Sequence, residues 1–178
     1  MADTPGSPPS SPAVPPAGDG QGRPQQRAVP MLIKAQYVKD LSFENPRAPA
    51  PMPVGQQPKI AVDIDVAIAG KGGDDHEVVL SLTVNASHNA ETLFIVEVHY
   101  AGLITVSGLP ENLREPLLWI EGARLLFPFA RAVIANATRD GGLPPVLLAP
   151  VDFMSLYQQK TGKTLQTAAQ PAAPAGTA

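Results

Sequence analysis

Five aliphatic residues at every second position, Ile60, Val62, Ile64, Val66 and Ile68, fix the middle of this chain as a β-strand. A helix would scatter them around its axis; only a two-residue period gathers all five on one face. Asp63 and Asp65 then fall on the opposite face. The segment GKGGDD (70–75) has the glycines and aspartates of a tight turn. HEVVLSLTVNAS (76–87) resumes the alternation with Val78, Leu80, Leu82, Val84 and Ala86, so 59–87 reads as a hairpin. An earlier segment, 31–45, gives a long strand by the same rule. Ile33, Ala35, Tyr37, Leu41 and Phe43 are expected on one face, with Lys34, Gln36, Asp40, Ser42 and Glu44 on the other. Pro46, Pro49, Pro51 and Pro53 end it, because proline cannot donate to a ladder.

ETLFIVEVHYAG (91–102) departs from one-sided alternation. Leu93 and Ile95 point one way; Phe94, Val96, Val98 and Tyr100 point the other. A strand apolar on both faces needs cover on both, and the expected source of the second cover is another copy of the chain. Beyond Gly108 the period becomes helical. Leu113, Leu117 and Ile120 share a stripe in 110–123, interrupted at Pro116. Phe129, Val133 and Ala137 share another in a helix expected to start near Pro128 and to stop at Gly141 and Gly142. Asp152 can cap a short third helix carrying Phe153, Leu156 and Tyr157. Strands followed by helices give an α+β fold, a four-stranded antiparallel sheet with helices packed on one face.

The ends have a different character. Residues 1–30 hold eight of the 21 prolines, among Ser, Gly, Ala and Gln, and too few large apolar side chains to offset the entropy of ordering. A disordered arm is expected there, a disordered tail over 161–178, and one folded domain over 31–160. Cysteine is absent and the net charge is −3 without a Lys/Arg cluster, which argues against a thiolate metal site and a nucleic-acid surface. Neither a signal peptide nor an apolar run of membrane-spanning length is visible, so a cytoplasmic protein is expected.

Catalytic chemistry finds little support. His76, His88 and His99 share no ligand spacing, and HEVVL lacks the second histidine of a zinc-protease motif. TGKT (161–164) resembles the end of a phosphate loop, but Tyr157 stands where its first glycine belongs. Asp63 and Asp65 form a formal carboxylate pair with no nucleophile tied to them. The sequons at Asn85 and Asn136 are read as chance. No catalytic residue, metal or cofactor is expected.

Three blocks carry a resemblance. YVKDLSFENPRAP (37–49), HEVVLSLTVNAS (76–87) and LLFPFARAVIANATRDGGLPPVLLAPVDFMSLYQQ (125–159) are similar, in order and spacing, to the SecB family of protein-export chaperones. The resemblance implies a homotetrameric dimer of dimers that holds unfolded precursor proteins and passes them to the SecA ATPase. It assigns SecA contact to Asp40, Glu44, Ile95 and Glu97, facing a basic, zinc-containing segment of SecA. It places Val96, Val98 and Tyr100 at the tetramer interface, with Tyr100 bulkier than the family's usual residue. A client groove between sheet and helices would be lined by Ile60, Val62, Ile64, Phe94, Leu117 and Tyr157. The arm, and the tail without acidic residues, depart from the family pattern. Two other readings stand beside export: a SecB-like chaperone of a toxin–antitoxin system, and a module binding one peptide or small molecule in the same groove.

Overall fold

The computed structural model describes residues 31–50 and 57–163; the proline-rich arm over 1–30, and the tail from 164 onward, lie outside the described residues. Four strands, β1 (Met31–Glu44), β2 (Lys59–Gly72), β3 (Asp75–His88) and β4 (Glu91–Val106), form one antiparallel sheet in the order β1-β4-β3-β2. Gly72 and Gly73 take the left-handed backbone that the β2–β3 turn requires. Asn89 and Ala90 do the same between β3 and β4. Leaving β1, the chain crosses to the far edge of the sheet, so β1 pairs with β4 and not with β2.

A nearly continuous helical run follows: α1 (Glu111–Leu117), a π-helical turn (Leu118–Gly122) and α2 (Ala123–Asp140). Pro128 lies within α2 and not at its start. The missing amide of Pro128 is tolerated because Ala123, Leu126, Phe127, Ala130 and Ile134 pack the helix against the sheet. Gly122 lets the π turn press on β3 and β4, since a Cβ there would sit 3.3 Å from Ile104 and Val78. Asp152 caps α3 (Phe153–Thr161) by accepting from the Met154 and Ser155 amides. Thr161 closes that helix and Lys163 pairs with Glu115 at 3.2 Å, so the expected tail is ordered at its start.

The helices cover the sheet face bearing Val78, Leu80, Leu82, Val84, Val96 and Val98, all fully buried. For β4, α2 of the same chain covers the face bearing Phe94, Val96, Val98 and Tyr100. Leu93 sits at a register shift opposite Ala86 and Ser87 and joins the core. No described helix lies on the opposite face, where Val79, Ser81, Thr83, Glu97 and His99 are half-buried.

Strand β1 does not alternate as the simple pattern expects. Its pairing with β4 skips Lys34 and Lys39, one extra residue at each of two bulges. Side chains opposite one another across an antiparallel ladder share a face. Ala35 and Tyr37, opposite Leu103 and Ala101, therefore lie on the helix-free face; Gln36, opposite Gly102, lies on the helix side. The charges explain the bulges. Lys34 reaches over β4 to Asp75 of β3 at 2.7 Å, and Lys39 reaches Glu77 at 3.1 Å. Glu77, only 5% exposed, also takes Lys71 at 2.9 Å and the hydroxyl of Tyr37.

Hydrogen bonds from Lys71, Tyr37 and Lys39 hold the Glu77 carboxyl down to about 2, against 4.5 for the free group. A carboxyl whose folded pKa is depressed adds stability that is complete above the unfolded value and is lost as the pH falls through the folded one. Urea midpoints should therefore drop between pH 4.5 and 2, and Glu77→Gln should flatten that dependence. Parallel curves for both proteins would show that this carboxylate does not carry it.

Candidate functional site

Where β2 begins, the sheet extends past the helices. Ile60 and Val62 point to the helix side but remain 46% and 43% exposed. Facing them is the segment after α2. Gly142 turns the chain in a left-handed conformation, and Pro144 and Pro145 hold it extended. Val146 and Leu148 turn inward and are buried, while Leu147 between them is 77% exposed. Pro58, Ile60, Val62, Phe94 and residues 144–149 enclose an open, almost wholly apolar groove of about 410 Å³.

Two side chains of α2 hold the outer wall in place. The buried hydroxyl of Thr138 accepts from the Val146 amide at 3.1 Å, and Arg131 donates to the Leu148 carbonyl at 3.3 Å. The Leu143 amide donates to the Thr138 carbonyl at 3.0 Å. Of the residues expected to line a groove, Ile60, Val62 and Phe94 do so. Ile64 and Leu117 pack partly buried against the core instead. Tyr157 is fully buried, edge-on to Trp119 at 5.4 Å. A ring with no exposed surface cannot line a groove open to solvent, so Tyr157 is a core residue. The wall 144–149 is not among the residues expected to line the groove. The available signal was the pair Leu147–Leu148 between prolines, with no helical or strand partner to bury both.

A second constellation lies on the helix-free face. Asp40 stands opposite His99, Ser42 opposite Glu97 and Glu44 opposite Ile95, so Asp40, Glu44, Ile95 and Glu97 share that face. His99 bridges Glu97 at 3.1 Å and Ser81 at 2.9 Å. Ser81 of this serine–histidine–glutamate chain stands on β3. β3 is bonded on both sides, so its amides are spent in ladders and none is free to stabilise an oxyanion. Asp63 and Asp65 are exposed and meet only Lys160, at 3.7 and 3.8 Å. Among the described residues no cluster of three or more His, Cys, Asp or Glu is placed to hold a metal.

Comparison with known proteins decides the family. The family described as preprotein translocase subunit SecB matches residues 24–164. The chain belongs to the SecB family. Protein-export protein SecB of Rhodopseudomonas palustris strain TIE-1 is 47% identical over 150 residues, covering 83% of this chain and 96% of that protein. That of Maricaulis maris strain MCS10 is 50% identical over 138 residues, 77% of this chain and 80% of the other. Among solved structures, a Mycobacterium tuberculosis SecB-like chaperone in complex with a peptide from the HigA1 antitoxin shares the fold. Its TM-score is 0.60 at 18% identity, covering 70% of this chain and 92% of that one.

Within this SecB chain, the residues expected at a tetramer interface divide. Val96 and Val98 are fully buried beneath the chain's own helices, so neither offers surface to a partner. Tyr100 is half-buried and stacks on Phe129 of α2, centroids 6.2 Å apart and planes 8° from parallel; Phe129 is itself 50% exposed.

The groove's outer wall depends on Thr138. Thr138→Val keeps the shape but strands the buried Val146 amide, at a cost of about 1–3 kcal/mol. The expected result is a lower urea midpoint, with faster amide exchange at Val146. Unchanged exchange would show that the wall is held by packing alone.

Proposed function

We propose that this SecB-family chain is an ATP-independent holdase that keeps precursor proteins unfolded for export and delivers them to SecA. The observation that carries the reading is the open groove, where Ile60, Val62, Phe94 and the 144–149 wall leave apolar surface in water. Covering apolar surface stabilises a complex by about 25 cal/mol per Å² before ordering costs. β2 is an outer strand, and its free edge beside the groove can pair with the backbone of any extended chain. Neither contact reads sequence. An unfolded client presents both apolar side chains and unpaired backbone, whereas a folded one hides both. Nothing in this capture needs a nucleotide, a metal or bond-breaking chemistry.

The helix-free face suits the second partner. Asp40, Glu44, Ile95 and Glu97 lie together on a flat, solvated surface complementary to a basic segment. Assembly as a dimer of dimers is supported by the other side of α2, where Leu125 and Phe129 are exposed near Tyr100, and where Val38 and Leu41 of the outer strand β1 lie uncovered. No helix among the described residues is long and apolar enough to cross a membrane, and we place the protein's work in the cytoplasm. Export is favoured over antitoxin protection because the relatives at 44–50% identity over most of the chain are export proteins.

In a refolding assay without ATP, the protein should arrest a denatured precursor and ignore the same protein once native. Val62→Asp should weaken that arrest at least ~10-fold by placing a charge in the groove. Asp40→Ala and Glu44→Lys should leave arrest intact while lowering SecA affinity. Undiminished refolding of several precursors at excess chaperone would reject the holdase reading. Phe129→Asp should reduce the tetramer's mass in light scattering; a full tetramer would move the interface elsewhere.

A further inference from the structure

Both bulges of β1 have lysine as the extra residue, and both lysines cross β4 to a carboxylate on β3. The second bulge has a consequence for everything after it. Tyr37, opposite Ala101, lies on the helix-free face. Strict alternation from Tyr37 would put positions 39, 41 and 43 on that face and send 40, 42 and 44 beneath the helices. The extra residue at Lys39 reverses this. Asp40, Ser42 and Glu44 come out beside His99, Glu97 and Ile95, while Phe43 turns inward to meet Phe94, ring centroids 6.3 Å apart.

Local propensity does not hold such a kink in an outer strand; a bond does. The Lys39 ammonium reaches both oxygens of Glu77 at 3.1 Å, and Glu77 is fixed in turn by Lys71 and Tyr37. Three strands therefore meet at one buried carboxylate: β1 through Tyr37 and Lys39, β2 through Lys71, and β3 through Glu77 itself.

We propose that Lys39 is a positioning residue for the docking face: bound to Glu77, it holds the bulge that presents Asp40 and Glu44 to the partner. This rests on the reading of Asp40 and Glu44 as SecA contacts. It makes a counter-intuitive claim, because Lys39 is a positive charge beside a surface meant for a basic segment. Coulomb attraction alone says that removing it should tighten the complex. Positioning says the opposite.

The test is SecA affinity of the full-length Lys39→Met protein, which keeps the chain length and aliphatic stem but loses the ammonium. We expect affinity to fall about 10-fold, the effect of losing a charge-assisted hydrogen bond that orders the contact. Lys39→Arg, which preserves charge and reach, should bind within about twofold of the parent. Arrest of an unfolded precursor, which uses the opposite face, should be unchanged in both. Should Lys39→Met fold poorly, Glu77→Gln removes the negative partner of the same ion pair and carries the same expectation. If Lys39→Met binds SecA as tightly as the parent or more tightly, while Asp40→Ala and Glu44→Lys weaken binding, the positioning role is wrong and the docking face stands. If none of these variants changes SecA affinity, the docking face is wrong as well, and the inference falls with it.

Discussion

Leu126 rests on Gly102. A Cβ at position 102 would come within 2.8 Å of a Leu126 methyl, so the central strand β4 lacks a side chain where α2 needs to lie. At the end of the helix Gly141 does the same for Phe43, whose ring a Cβ there would overlap. Ala130 and Ile134 between these points, and Ala123 ahead of them, complete the contact. Close approach over this length lets a single helix dehydrate one face of β3 and β4. It also spends the one long helix among the described residues over the middle of the sheet. The outer strands are left with partly uncovered apolar side chains, Val38 and Leu41 on β1, Ile60 and Val62 on β2. The groove and the free surface near Phe129 both follow from that economy of cover.

Strands β2 and β3 were legible because a two-residue period of aliphatics admits no competing fold, and their turn was legible from its glycines. The cap at Asp152 was legible for the same local reason. β1 was misread because a bulge changes the count without changing the composition. Lys34 and Lys39 look like ordinary outward residues until Asp75 and Glu77, some 40 positions away, are known to wait for them. The start of α2 was misread because proline's local preference was weighed without the tertiary packing that overrides it. Ile60, Val62 and Phe94 of the groove could be read, since an outer strand's apolar face is a natural candidate. The wall 144–149 left only the trace of Leu147 and Leu148 without a partner, since it is the folded path of α2 that brings it opposite β2.

An exposed apolar strand edge is a hazard that most proteins conceal. Here the far part of β2 is guarded by charge. Asp63 and Asp65 are exposed, and Lys160 from α3 reaches around to both. Such pairs contribute little stability, but a cluster of solvated charges is a poor surface for stacking one subunit's edge on another's. The unguarded part begins at Ile60 and Val62, where the groove lies. On the proposed reading of the groove, protection and capture divide one strand between them.

If clients bind in the groove as proposed, the proline wall sets how firmly a captured segment can be gripped. Pro144 and Pro145 have no amide hydrogen to give. An extended segment in the groove can form a ladder with β2 on one side only. On its other edge the prolines offer carbonyls but no amides, so the guest's own carbonyls on that side find no proline donor. Such a guest resembles the outermost tooth of a zip and not a strand locked within a sheet. It can be peeled away from one end, bond by bond, with no point at which the whole ladder must break together. A groove walled by two bonding strands would hold more tightly and surrender its cargo far more slowly.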